Sequence, residues 1–241
     1  MKAVILAAGE GRRLHPLTLD RPKAMLEVGG RTLIERALSA LRGAGIERSE
    51  VIILAGHKAE RLKEVALHCR FIHNEIYDTT NNIYSLWLAR GELVGQEFLL
   101  LNSDVLFASQ MVKNILQDAR SSLMMVDDVN PLVKEEMRVM VNGEQRITAI
   151  AKTLDRRQSA GEYIGLARFG KDFSKAFFDK MDEMIKAGET GVWYENAIAD
   201  ILADYPLYSL STLGLPWIEV DTHEDLARAV EIAKKIDSLE V

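Results

Sequence analysis

The sequence predicts an α/β fold: a doubly wound, mostly parallel (Rossmann-like) mixed sheet with helices on both faces and an antiparallel extension. Three observations predict it. Lys2–Ala7 is a continuous apolar run, as expected of a strand buried on both faces. Such runs alternate with helical stripes through the first hundred residues, the pattern of a parallel sheet covered on both sides. Farther on, paired strand patterns flank Asn142-Gly143, a hairpin signal.

Each element follows from local pattern. From Thr32 to Gly45, apolar residues recur at helical spacing (Leu33, Ile34, Ala37, Leu38, Leu41), and Gly43 and Gly45 supply a stop. Val51–Ala55 is a second apolar strand. Ala59, Leu62, Val65 and Ala66 form another helical stripe, and Arg70–His73 reads as a short strand. Asn82–Arg90 is helical, and the strand Phe98–Leu101 ends in Asn102-Ser103-Asp104. Ser122–Val126 is a strand, and Met137–Val141 and Arg146–Lys152 predict a hairpin closed by a two-residue Asn-Gly turn. Tyr163–Phe169 adds another strand. Two helices follow, about Phe173–Lys186 and Tyr194–Asp204, then short strands at Pro206–Ser211 and Trp217–Val220 and a closing helix, Thr222–Leu239. No repeat, low-complexity tract or linker divides the 241 residues, so 1–241 reads as one domain whose halves meet near residue 110.

Composition narrows the function. With 48% hydrophobic and 27% charged residues the chain can bury a large core and stay dissolved. A formal net charge of −6 argues against nucleic-acid binding, which needs a basic face. The single cysteine, Cys69, rules out an internal disulfide and reads as a core or boundary residue. No charged-then-apolar leader precedes the first strand, and no apolar run approaches the ~18 residues of a membrane span. A cytoplasmic protein without membrane contact is expected; a homodimer stays open.

Against that acidic balance, Arg12, Arg13, Arg21 and Lys23 cluster beside Gly9 and Gly11 at the end of the first strand. A dinucleotide fingerprint needs a third glycine and an immediate helix. Here Leu14 stands in the glycine's place, and Pro16 and Pro22 break the helix. A glycine-rich turn at a strand's carboxyl end instead exposes backbone N–H groups that cradle phosphate oxygens. Arg13 and Lys23 then neutralise phosphates that react or leave. Transfer between anionic partners calls for a divalent metal held by carboxylates at strand ends. Asp104 and Asp221 both follow apolar strands. Thr222 and Asp225 already form a capping pair, so Asp221 is not needed as a cap. His15, His57, His68, His73 and His223 lack metal-ligand spacing.

The segments LAAGEGRRL (from Leu6), RPK (from Arg21), HNEIYDTTNNIYSLWLAR (from His73), LLLNSDVLF (from Leu99), IAKTLD (from Ile150), GEYIGLARF (from Gly161) and LPWIEVDTHEDLARA (from Leu215) resemble the sugar-phosphate nucleotidyltransferase superfamily. The resemblance is to its choline-phosphate cytidylyltransferase-like branch and spans nearly the whole chain. It implies Mg²⁺ on Asp104 and Asp221, with Asp104 also at the nucleotide. It places Leu6, Ala7, Ala8, Gly9, Gly11, Gly56, Tyr84 and Ser85 around CTP, in a nucleotide-binding half of about residues 1–110. It places Lys152 on the phosphate of a small acceptor, in an acceptor-binding half of about 111–241.

Glu162-Tyr163 and Trp193-Tyr194-Glu195 pair aromatics with acids, a combination that attracts an ammonium group. Asp127 and Asp128 are further acids that such a cation can meet. Where a choline-using member reads Tyr-Trp-Asp-Asp, this chain reads Trp193-Tyr194-Glu195-Asn196, which leaves choline open beside a primary ammonium. The leading expectation is a Mg²⁺-dependent cytidylyltransferase acting on a phosphorylated or phosphonate amino-alcohol. The alternatives are a nucleotide-sugar pyrophosphorylase using UTP or dTTP, a catalytically silent nucleotide-binding paralogue and an NAD oxidoreductase.

Overall fold

The computed structural model describes residues 1–132 and 136–240. In chain order the elements are β1 (Lys2–Ala7), β2 (Glu27–Val28), β3 (Arg31–Thr32), α1 (Leu33–Gly43), β4 (Val51–Ala55), α2 (Ala59–Val65) and β5 (Arg70–His73). Then come α3 (Asn82–Leu88), α4 (Arg90–Leu93), β6 (Phe98–Asn102), β7 (Val105–Phe107), α5 (Gln110–Gln117), β8 (Leu123–Asp127), β9 (Arg138–Val141) and β10 (Ile147–Ala151). The chain closes with β11 (Gly161–Phe169), α6 (Lys171–Lys186), α7 (Tyr194–Ile201), β12 (Tyr208–Ser211), β13 (Trp217–Glu219) and α8 (His223–Leu239).

One sheet carries the order β10-β9-β11-β6-β1-β4-β5, with β8 also on β11 and β12 on β8. Strands β5, β4, β1 and β6 run parallel. Strand β11 turns the sheet antiparallel against β6, β8 and β9. The apolar run of β1 is explained by burial on both sides. Val4 joins one core cluster, while Ala3, Ile5 and Ala7 join the other, the two-residue alternation of a strand. The first cluster packs α3, α6 and α7 on the sheet, and the second packs α1, α2 and α5. A ring contact set of Phe98, Phe169, Phe173, Phe177 and Phe178 extends through Phe177 to Tyr194 at 6.3 Å, fixing α7 to the sheet.

Three features differ from the sequence reading. The hairpin of β9 and β10 forms, but its loop is longer than two residues. Asn142 Oδ1 accepts from the backbone N–H of Glu144 and Arg146, and Gln145, not Gly143, takes the left-handed conformation. The Asn side chain thus organises a wider turn than the Asn-Gly pair predicts. Strand β7 and helix α5 are also present, between the predicted strands at 98–101 and 122–126. Finally, β2 and β3 form a two-stranded ribbon that leads into α1. Among the described residues no helix is long and apolar enough to cross a membrane.

Candidate active site

After β1 the chain makes no helix. It forms two short 3₁₀ turns, Arg12–Leu14 and Lys23–Met25, because Pro22 and the intervening loop interrupt any regular run. Gly11 takes φ +68°, and a Cβ there would lie 3.1 Å from Lys23 Cβ, so this position is reserved for glycine. Gly9 is different: a Cβ would meet no protein atom within 4 Å. Buried His57 braces the loop, with Nε2 2.8 Å from the Thr18 carbonyl, while Thr18 Oγ1 donates to the Gly11 carbonyl.

The two aspartates are brought together by a ribbon that the main sheet does not include. Asp104 precedes β7 and Asp221 follows β13. These strands pair antiparallel, with Glu219 opposite Val105, and Val220 N–H donates to the Asp104 carbonyl. Thr222 caps α8 in a reciprocal box with Asp225, leaving the Asp221 carboxylate to face the cleft. Lys23 Nζ donates to Asp104 Oδ2 at 2.9 Å and also to Asp221 Oδ1, and Arg13 donates to Asp221 Oδ2 at 2.5 Å. Residues 208 positions apart therefore meet at one point. Burial works against the charge on Lys23, but Asp104 and Asp221 outweigh it and hold the ammonium above its ordinary pKa. Burial likewise opposes ionising Asp221, and Lys23 and Arg13 overcome it, holding that carboxyl below its ordinary value.

Glu219 joins this group. Asp104, Glu219 and Asp221 each offer an oxygen, and the three oxygens lie within 4.8 Å of one another. Asp104 Oδ1 is buried with no hydrogen-bond partner. An all-oxygen donor set with an unsatisfied buried oxygen fits a hard divalent cation. Sequence reasoning missed Glu219, although its two-residue spacing from Asp221 along an extended segment puts both on one side.

The cleft holds about 320 Å³ at the carboxyl ends of β1 and β6. Leu6, Ala7, Ala8, Gly9, Gly11, Arg13, Lys23, Ser85, Asp104 and Asp221 line it, and so do the residues expected at the acceptor end, Lys152, Glu162, Tyr163, Trp193 and Glu195. Three expected residues lie elsewhere. Gly56 sits behind Tyr77: a Cβ there would come within 2.7 Å of the Ala8 carbonyl oxygen and of Tyr77 Cβ, so glycine serves chain packing. Tyr84 turns to Trp87, with ring centroids 5.6 Å apart. Tyr194 is fully buried in the aromatic cluster, and its hydroxyl meets Tyr163 Oη at 3.0 Å. Arg12 turns aside to Glu10 at 2.7 Å. Asp127 ends β8, is buried, and accepts from the backbone of Val129 and Asn130, the Asn130 side chain and Trp217 Nε1. Asp128 accepts from Ser211 Oγ.

At the acceptor end, Lys152 Nζ lies 4.7 Å from the Trp193 ring centroid. Glu195, in the first turn of α7, is 5% exposed, and burial pushes its carboxyl up to about 7. Burial, followed by the charges of Glu136 and Glu219, pushes Glu162 up to about 9. Glu219 is exposed at its outer edge, and the protein packed about its carboxyl, with the neighbouring Asp104 and Asp221, pushes it above its ordinary value. Tyr77, Asn82 and Asn102 also line the cleft and were not singled out from sequence. Ser85 is buried, and its Oγ accepts from Asn74.

Cations and carboxylates converging beside a glycine-rich turn suit an enzyme that moves phosphate-bearing groups, and with this sheet they point to the class of nucleotidyltransferases. Residues 3–160 match the MobA-like NTP transferase domain, and the chain belongs to that family. It is 26% identical over 256 residues to the CTP:phosphoglutamine cytidylyltransferase of Campylobacter jejuni, covering 96% of this chain and 100% of the relative. It is 30% identical over 231 residues to a bifunctional IPC transferase and DIPP synthase of Aquifex aeolicus. That match covers 94% of this chain, which spans half the relative's length. The structure of a CTP:phosphocholine cytidylyltransferase from Streptococcus pneumoniae superposes with a TM-score of 0.81 at 26% identity, covering 96% of this chain and 98% of that one.

Proposed function

We propose that this chain transfers a cytidylyl group from CTP to a phosphate or phosphonate oxygen of a small cation-bearing acceptor. The carrying observation is the meeting of Arg13 and Lys23 with Asp104 and Asp221 at the glycine turn, in one cleft with Lys152. The acceptor oxygen attacks the α-phosphorus, the bond to the bridging oxygen of the β-phosphate breaks, and pyrophosphate leaves. Backbone N–H groups of the Gly9–Gly11 turn hold the triphosphate. Arg13 and Lys23 move from the aspartates to the phosphates and offset the charge that builds on the leaving group. Lys152 holds the acceptor's anionic end. Asp104, Asp221 and Glu219 would hold a Mg²⁺ ion, which would supply positive charge at the reacting phosphate. Cytidine as the base is supported by the relatives' activities. A cytoplasmic setting, where CTP is available, completes the reading.

A pyrophosphate-release assay with CTP, UTP, dTTP, ATP and GTP, each against phospho-amino-alcohols and sugar 1-phosphates, tests it. Turnover confined to CTP and a phosphorylated or phosphonate cation is expected. Turnover with UTP or dTTP and a sugar phosphate, but not with CTP, would replace this reading with a nucleotide-sugar pyrophosphorylase.

A further inference from the structure

The lining of the cleft is unevenly charged. Five acids face it (Asp104, Glu162, Glu195, Glu219 and Asp221) against three bases (Arg13, Lys23 and Lys152). Asp104 and Asp221 are neutralised by Lys23 and Arg13. Among the described residues that line the cleft, Lys152 is the base expected at the acceptor end, beside Glu162 and Glu195. A substrate that brings a phosphate to this end adds negative charge. Glu162 and Glu195 are held toward their neutral forms there, and they can carry charge beside a phosphate only if the same substrate brings a positive group. Glu195 marks where that group is needed: the residue is 5% exposed, it lines the cleft, and its Oε2 has no hydrogen-bond partner.

The kind of cation follows from the aromatic surfaces. A quaternary ammonium has no N–H and is held by ring faces. Here one face of Trp193, a residue 41% exposed, carries Lys152 Nζ at 4.7 Å. Tyr163 is 4% exposed, with its hydroxyl bonded to that of Tyr194, which is fully buried. Tyr77 lies toward the glycine turn, beside Glu10, Arg12 and Arg13. Of these residues Trp193 is exposed and Tyr163 is buried, so the aromatic surface is not a ring-lined cage on several sides. A carboxylate oxygen that lacks a partner is satisfied by an N–H donor and gains little from a methyl group.

We infer that the acceptor carries a primary ammonium group, on a short alkyl phosphate or phosphonate, and that Glu195 accepts its N–H with Glu162 as the neighbouring counter-charge. This rests on the cytidylyl-transfer reading above and narrows its second substrate. The reaction that supplies this acceptor is then a kinase acting on an amino-alcohol or an enzyme that makes an amino-phosphonate.

The experiment uses the purified protein with CTP and MgCl₂. Initial rates are compared for phosphoethanolamine, its mono-, di- and trimethylated forms, 2-aminoethylphosphonate and the uncharged ethyl phosphate. The expected result is a kcat/KM that falls at least tenfold from the primary amine to the trimethylated form, and at least a hundredfold to ethyl phosphate. Glu195→Gln raises KM for the amine at least tenfold and leaves KM for CTP within twofold. Glu162→Gln does the same more weakly, and far-UV circular dichroism shows both variants folded. If Glu195→Gln does not fold, calorimetry of 2-aminoethylphosphonate and ethyl phosphate against the CTP-loaded wild type decides between them. Equal or better use of the trimethylated or uncharged acceptor with CTP overturns the ammonium assignment alone, as does the absence of turnover and binding with every primary amine. Turnover with another nucleotide and none with CTP overturns the underlying reading instead.

Discussion

Gly9 and Gly11 stand two residues apart in one turn, yet they are glycine for different reasons. Gly11 needs a left-handed backbone and abuts Lys23, so an alanine there strains the chain by about 1–2 kcal/mol and displaces a cationic residue. Gly9 has no such need from the protein, and it lines the cleft. Gly11→Ala is therefore expected to lower the melting temperature by several degrees. Gly9→Ala is expected to leave it unchanged and to weaken CTP binding at least tenfold. Thermal unfolding and calorimetry of the two variants check this pair. Both glycines were visible in the sequence, but their separate reasons were not, because backbone angle and contact distance leave no mark on residue type. Glu195 was legible as an acid beside aromatics. That it is buried and Tyr194 turned inward became apparent only once Phe177 and its neighbours were seen to hold α7.

Among the elements, the ribbon of β7 and β13 has the greatest consequence for its size. It joins the segment after β6 to the segment before α8 and so sets Asp104 beside Asp221. A proline in place of Ile218 removes a ladder hydrogen-bond donor from this ribbon. Ile218→Pro is expected to lower kcat/KM at least a hundredfold while the far-UV circular dichroism of the main sheet persists; retained activity would show that the aspartates do not depend on the ribbon. The long strands and helices were legible because their apolar periodicity is set by burial on one or two faces, as in β1, β4 and α1. Strand β7 was passed over: Val105–Phe107 is three residues long, too short to display a period. The hairpin loop at Asn142 was legible in place but not in form, since the same Asn-Gly pair serves a tight turn or a wider one organised by the Asn side chain.

At the scale of the whole molecule, the buried acids tie stability to pH. Glu162 and Glu195 have folded-state values of about 9 and about 7, above the ordinary 4.5. Between the ordinary and the raised value, each keeps its proton only in the folded chain. The folded state then binds more protons, and stability falls as pH rises through that window. Glu162→Gln, neutral at every pH, is expected to gain stability on the wild type steadily from pH 5 to pH 9, and urea melts across that range measure it. An unchanging difference would mean that Glu162 ionises as freely folded as unfolded.

Lys23 lies across the two aspartates like a latch on its own keyhole, and this shapes how the enzyme loads. An inorganic cation seeking these oxygens competes with a tethered one whose local concentration never falls. Manganese titrated alone is expected to bind weakly by electron paramagnetic resonance, and to bind at least tenfold more tightly when CTP draws the lysine aside or when Lys23→Met removes it. On the proposed reading, metal and nucleotide are then each expected to bind more tightly in the presence of the other.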